Sequence, residues 1–203
     1  MRLICESLQK EDYLKELPEV NFSHPLIKQK VNEIKLDSEN DSLEYIKRAY
    51  NFVRDEIFHS WDIQSKKVTK IASEVFEQKE GICYAKSNLL AALLRAYGIP
   101  TGFCYQRLIL GSTVDSGYCI HALNAVYVES ENKWIRLDAR GNKEGVQAEF
   151  FLHEEKLAFP VDSGVDEIDY PTIYIKPNDQ TMKVLSENTD ALDMYLKFLP
   201  VRI

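Results

Sequence analysis

Four cysteines stand among the 203 residues, at Cys5, Cys83, Cys104 and Cys119, with no Cys-x-x-Cys pair and no regular spacing. That pattern excludes a disulfide-stapled framework and predicts free thiols in a reducing compartment. No apolar run approaches the length that crosses a bilayer, and Met1-Arg2-Leu3-Ile4-Cys5-Glu6 turns charged at once. Neither a membrane span nor the core of a signal peptide is therefore expected, and the expected location is cytoplasmic. A basic excess is missing too: 25 Lys and Arg against 32 Asp and Glu leave a net charge of −7. Nucleic acid, whose phosphates demand a basic surface, is excluded as a partner, and the acidity reads as solubility. The chain also lacks internal repeats, low-complexity stretches, a Gly-rich phosphate loop and an acidic loop with calcium-site spacing. What remains, 45% hydrophobic and 28% charged, is the composition of a soluble globular protein long enough to bury a sizeable core.

The most informative stretch is Glu80-Gly81-Ile82-Cys83-Tyr84-Ala85-Lys86-Ser87-Asn88-Leu89-Leu90-Ala91-Ala92-Leu93-Leu94-Arg95-Ala96-Tyr97-Gly98-Ile99-Pro100. Leu89, Leu90, Leu93, Leu94 and Tyr97 recur at helical spacing among alanines, and Gly98 with Pro100 supplies a C-terminal cap and a stop. Gly81 breaks whatever precedes it, so Cys83 falls in the first turn of a buried helix. There the unpaired N–H groups and the positive end of the helix dipole favour a sulfur anion, one route to a nucleophile. Position alone does not separate this from a cysteine packed as a small apolar group.

Downstream, Cys119-Ile120-His121-Ala122-Leu123-Asn124-Ala125-Val126-Tyr127-Val128 reads as a strand. The polar run Glu129-Ser130-Glu131-Asn132-Lys133 and then Trp134-Ile135-Arg136-Leu137-Asp138 complete an antiparallel hairpin. A tight reversal at Glu129-Ser130 places His121 directly opposite Asp138, with Cβ atoms roughly 5 Å apart. A reversal about Glu131 gives that place to Asn124 instead. In the first register a carboxylate fixes the imidazole tautomer and stabilises its charged form, and Cys83, His121 and Asp138 become nucleophile, base and orienter. A zinc site from Cys83, Cys104, Cys119 and His121 is disfavoured because no second ligand pair has zinc-site spacing.

Elsewhere, Ser23-His24-Pro25 marks a helix start with Leu26, Ile27, Val31 and Ile34 on its apolar side. Asp41 and Glu44 have capping-box spacing for a helix striped by Leu43, Ile46, Tyr50, Val53 and Ile57. His59 and Asp62 read as the helix end and a loop rather than a second catalytic pair. Thr69 is expected to cap a short helix through Glu77. Residues 103–110 form a strand, the polar loop 111–117 is placed to shape the mouth of a site, and helical stretches at 182–186 and 191–199 cover the core.

At these motifs the sequence resembles the transglutaminase-like superfamily, a branch of the papain-like cysteine enzymes, as a single-domain member of bacterial type. The resemblance covers 72–142. It is carried by the block from Gly81 and Cys83 to Leu93-Leu94-Arg95-Ala96-Tyr97-Gly98-Ile99-Pro100, by His121-Ala122-Leu123-Asn124, and by Trp134-Ile135-Arg136-Leu137-Asp138. It implies an α+β papain-like core, with the cysteine helix packed on an antiparallel sheet carrying His and Asp, and catalytic residues at Cys83, His121 and Asp138. It also implies acyl transfer through a thioester without a cofactor or metal. In relatives a Gln shortly upstream of the cysteine, or a Trp further upstream, helps hold the oxyanion, which makes Gln78 and Trp61 both candidates. One domain over 1–203 is expected, with a helical part at 1–65, a catalytic core at 70–142 and a covering segment at 143–203. The substrate expected is a peptide or protein amide, with hydrolysis ahead of transamidation because this sequence lacks the extra domains of animal transglutaminases. The rivals are a protein-glutamine transglutaminase, an arylamine N-acetyltransferase, which has Arg-Gly-Gly where this chain has Lys79-Glu80-Gly81, and a non-catalytic binding module on the same fold.

Overall fold

In the computed structural model, which describes residues 1–111 and 113–203, six α-helices surround a curled antiparallel sheet. Helices α1 (Pro25–Asp37) and α2 (Ser42–Glu56) begin where side chains satisfy their first N–H groups. His24 Nδ1 accepts from the N–H of Leu26 at 3.3 Å with Pro25 at the first helical position, and Asp41 accepts from Glu44 N–H at 2.7 Å. Along α2 the stripe of Ile46, Tyr50 and Val53 is buried, as its periodicity predicts.

Strand β2 (Phe58–His59) runs parallel to β3 (Glu80–Gly81), bringing the end of α2 beside the residues that lead into Cys83. Between them lies α3 (Ala72–Gln78), which starts later than the sequence suggested. Thr69 does not cap it: its hydroxyl donates to the carbonyl of Glu80 at 2.8 Å and ties the loop to β3. Helix α4 (Cys83–Ala96) is buried on every side, against α2 and α3 on one flank and the sheet on the other. This is why apolar residues occupy all its faces rather than one stripe, with Lys86, Ser87, Asn88 and Arg95 buried among them. It stops at Gly98, whose φ of +92° only glycine adopts freely.

The sheet has the order β6-β5-β4-β7, with β4 (Thr101–Ile109), β5 (Tyr118–Val128), β6 (Lys133–Leu137) and β7 (Ile168–Asp169). Strands β1 (Ile4–Cys5) and β8 (Thr172–Ile173) pair in parallel and tie the N-terminal segment to the chain that follows β7. Helices α5 (Asp179–Glu187) and α6 (Ala191–Lys197) lie where helical covering segments were expected.

The hairpin adopts neither expected register. Asn124 faces Leu137 and Val128 faces Lys133, because the four-residue connection 129–132 closes with Asn132 in the left-handed region at φ +50°. Carrying this ladder one step further would set position 140 opposite His121. Asp138, two residues earlier, is therefore the diagonal neighbour of His121 on the same face, not its direct partner.

Candidate active site

Gly81 forms the joint that delivers the nucleophile. A Cβ there would lie 2.8 Å from Thr69 Oγ1 and 2.9 Å from Ala85 Cβ, so only glycine lets β3 run straight into α4. Ile82 is then the N-cap residue and Cys83 the first helical one, among N–H groups without intrahelical partners. The Tyr84 hydroxyl donates to the carbonyl of Ile120 at 2.6 Å, fastening this end of α4 to β5 just before His121.

His121 is 4% exposed and Asp138 1% exposed, and His121 Nε2 lies 2.8 Å from Asp138 Oδ2. Two backbone groups complete the carboxylate shell: Arg140 N–H donates to Oδ1 and Ala158 N–H to Oδ2, each at 3.1 Å. Burial alone would protonate Asp138, but His121 and these N–H groups hold its pKa below the usual carboxylate value. Burial likewise opposes a charged His121, yet Asp138 and the neighbouring Cys83 outweigh it and raise the imidazole pKa. With Nε2 committed to Asp138, Nδ1 is the nitrogen left for Cys83.

Cys83 and His121 open onto a cavity of about 610 Å³. Its apolar lining includes Leu108, Leu110, Val146, Phe159 and Leu199, and Gly111 marks where the loop 111–117 reaches it. Ser112 of that loop lies outside the described residues. Phe159 sets its ring edge-on to His121 at 5.2 Å.

Of the two oxyanion candidates, the structure brings only Trp61 to this cavity, where it stacks on Tyr195 of α6 at 4.6 Å. Gln78 sits at the end of α3, beyond which Lys79 turns left-handed at φ +59°, and its side-chain oxygen is taken by Lys67. It does not line the cavity. His59 does line it: the ring is buried, Nδ1 has no hydrogen-bond partner among the described residues, and burial and Arg140 hold the imidazole well below its usual pKa, hence neutral. Asp62 is not its partner but grips Arg140 with both carboxylate oxygens and accepts from Lys143 at 2.7 Å. These two cations outweigh the effect of burial and bring its pKa to about 2.

Cys119 shares the cavity, whereas Cys104 is packed in a separate cluster with Tyr13, Leu123 and Ile173, so the four zinc-type ligands do not come together. Arg140, Tyr195 and Phe159 are cavity residues that the motifs left unassigned. Arg140 sits two residues past Asp138 in a segment legible only as a turn, and the other two come from distant chain with no local signature.

A cysteine on the first turn of a buried helix, with a His on the adjoining antiparallel sheet and an Asp just past its edge strand, is the arrangement of the papain-like class. The model of the transglutaminase-like superfamily matches residues 28–139, more than half of the chain, and the chain belongs to that superfamily. A proposed cysteine protease from Cytophaga hutchinsonii shares the fold at 15% identity and a TM-score of 0.50, over 66% of this chain and 43% of that one. The periplasmic domain of TgpA from Pseudomonas aeruginosa aligns at 18% identity and a TM-score of 0.47, over 66% of this chain and 48% of that one. This chain thus spans less than half the length of either structure. No curated protein sequence matches it.

Proposed function

We propose that the protein is a cysteine-dependent acyl-transfer enzyme acting on a peptide or protein amide, with hydrolysis favoured over cross-linking. The observation that carries this reading is the buried 2.8 Å contact of His121 Nε2 with Asp138, next to Cys83 on the same cavity. In the proposed cycle His121 Nδ1 takes the proton of Cys83 Sγ as the sulfur attacks the amide carbonyl carbon. The tetrahedral oxyanion is stabilised by first-turn N–H groups of α4. The imidazolium then returns the proton to the departing amine, the C–N bond breaks and a thioester remains on Cys83. Water, deprotonated by the same nitrogen, releases the acid and restores the thiol. Asp138 keeps the proton on Nε2 throughout, so that Nδ1 stays available as base. Water is the favoured acceptor because it needs no chamber of its own, whereas an amine must be held against the thioester while water is excluded. The four unpaired thiols suit a reducing compartment.

The test is to trap the acyl-enzyme from a peptide-amide and glutaminyl library and follow its fate with and without a primary amine. A thioester on Cys83 that turns over in water, with little capture by millimolar amine, is expected. Capture of most of the acyl group by the amine would make the protein a transglutaminase, and no thioester from any amide would favour the binding module.

A further inference from the structure

Lys86 is the only charged residue between Gly81 and Leu94, and its side chain is fully buried in the middle of the core. It stands one helical turn after Cys83. Its Nζ donates to three backbone carbonyls: those of Arg54 at 3.3 Å and Ile57, at the end of α2, and that of Arg140 at 2.9 Å. Three acceptors match the three protons of an ammonium; a neutral amine would leave one carbonyl facing a lone pair. Burial first, and then Arg140, pull the Lys86 pKa down to about 7, while Asp138, Asp62 and Asp55 favour the charged form.

The third carbonyl matters most. Arg140 presents its carbonyl to Lys86 and its N–H to Asp138 Oδ1, and Asp138 Oδ2 in turn meets His121. Three hydrogen bonds, joined through the Arg140 backbone and the Asp138 carboxylate, thus link the helix bearing Cys83 to the imidazole that serves it. The fit is close: a Cβ on Gly141, at φ +109°, would stand 3.3 Å from both Lys86 Nζ and the Arg54 carbonyl. We propose that Lys86 is a positioning residue that sets Asp138 relative to the Cys83 helix, so that His121 is held as the partner of Cys83. This rests on the reading of Cys83, His121 and Asp138 as the reacting set.

The test is a double-mutant cycle read by the rate and pH profile of Cys83 alkylation with iodoacetamide, which needs no substrate. Wild type, Lys86→Met, Asp138→Asn and the double variant are compared, with modification mapped by mass spectrometry. Each single change is expected to slow alkylation near neutral pH by about tenfold or more and to move the pH profile alike, while the double variant is within about twofold of Asp138→Asn. Equal slowing by Lys86→Met in both backgrounds, or none in wild type, would overturn the proposal. No slowing by Asp138→Asn would remove the orienter and the proposal with it. Should Lys86→Met not fold, Lys86→Gln and Gly141→Ala enter the same cycle with the same expectation, and additivity in both is the overturning result.

Discussion

Cys83 differs from Cys119 in its neighbours rather than in its depth, since both are 8% exposed, whereas Cys104 is fully buried and Cys5 half-buried. Cys104 and Cys119 are pushed up to about 12 by burial, and Cys5 is raised by burial as well. Cys83 alone begins a helix and adjoins an imidazole whose charged form Asp138 stabilises. Under limiting iodoacetamide at neutral pH, mass-spectrometric mapping should find Cys83 modified first, by an order of magnitude or more over the rest. Earlier modification of Cys5, Cys104 or Cys119 would contradict that.

At the scale of elements, the site depends on two joints. In the first, β3 passes into α4 through Gly81, with Thr69 and Ala85 pressed against it. Gly81→Ala should cost about 1–3 kcal/mol, because neither neighbour is the free end of a flexible side chain and the backbone has to shift. Urea unfolding would read this as a lowered midpoint with an unchanged slope, and an unchanged midpoint would show that the joint relaxes. The second joint is the β5–β6 hairpin. There parity matters more than the exact register: a shift of two residues keeps His121 and Asp138 on one face, whereas a shift of one residue would put them on opposite faces.

For the whole molecule, the His121–Asp138 pair makes stability depend on pH in a defined way. Asp138, lowered in the fold, contributes stability above its unfolded pKa of about 3.9, and that contribution is lost as pH falls through its folded value. His121, raised in the fold, contributes fully below its unfolded pKa of about 6.5 and loses that contribution as pH rises through its folded value. The stability lost in Asp138→Asn should therefore be greatest between roughly pH 4 and 6.5, on the order of 3 kcal/mol for a broken buried pair, and shrink on either side. Denaturant unfolding at several pH values checks this, and a pH-independent difference would show that the pair is not ionised.

The local sequence by itself determined the elements: where α4 starts and stops, the stripe of α2, the helix start at Pro25, the cap at Asp41, and the order of strands around Cys83, His121 and Asp138. These follow from helical periodicity, capping chemistry and turn residues, all of which act within a few positions. Only tertiary structure decided the hairpin register, the loss of Thr69 to Glu80, the distance of Gln78 from the cavity, and the arrival of Tyr195, Phe159 and Arg140. The physical reason is that each of these depends on which backbone groups and side chains from remote segments compete for the same partner. Lys86 lies between the two cases: a charge near the start of a largely apolar helix stands in the chain, but its three carbonyls come from α2 and the turn after Asp138, which only the fold brings together.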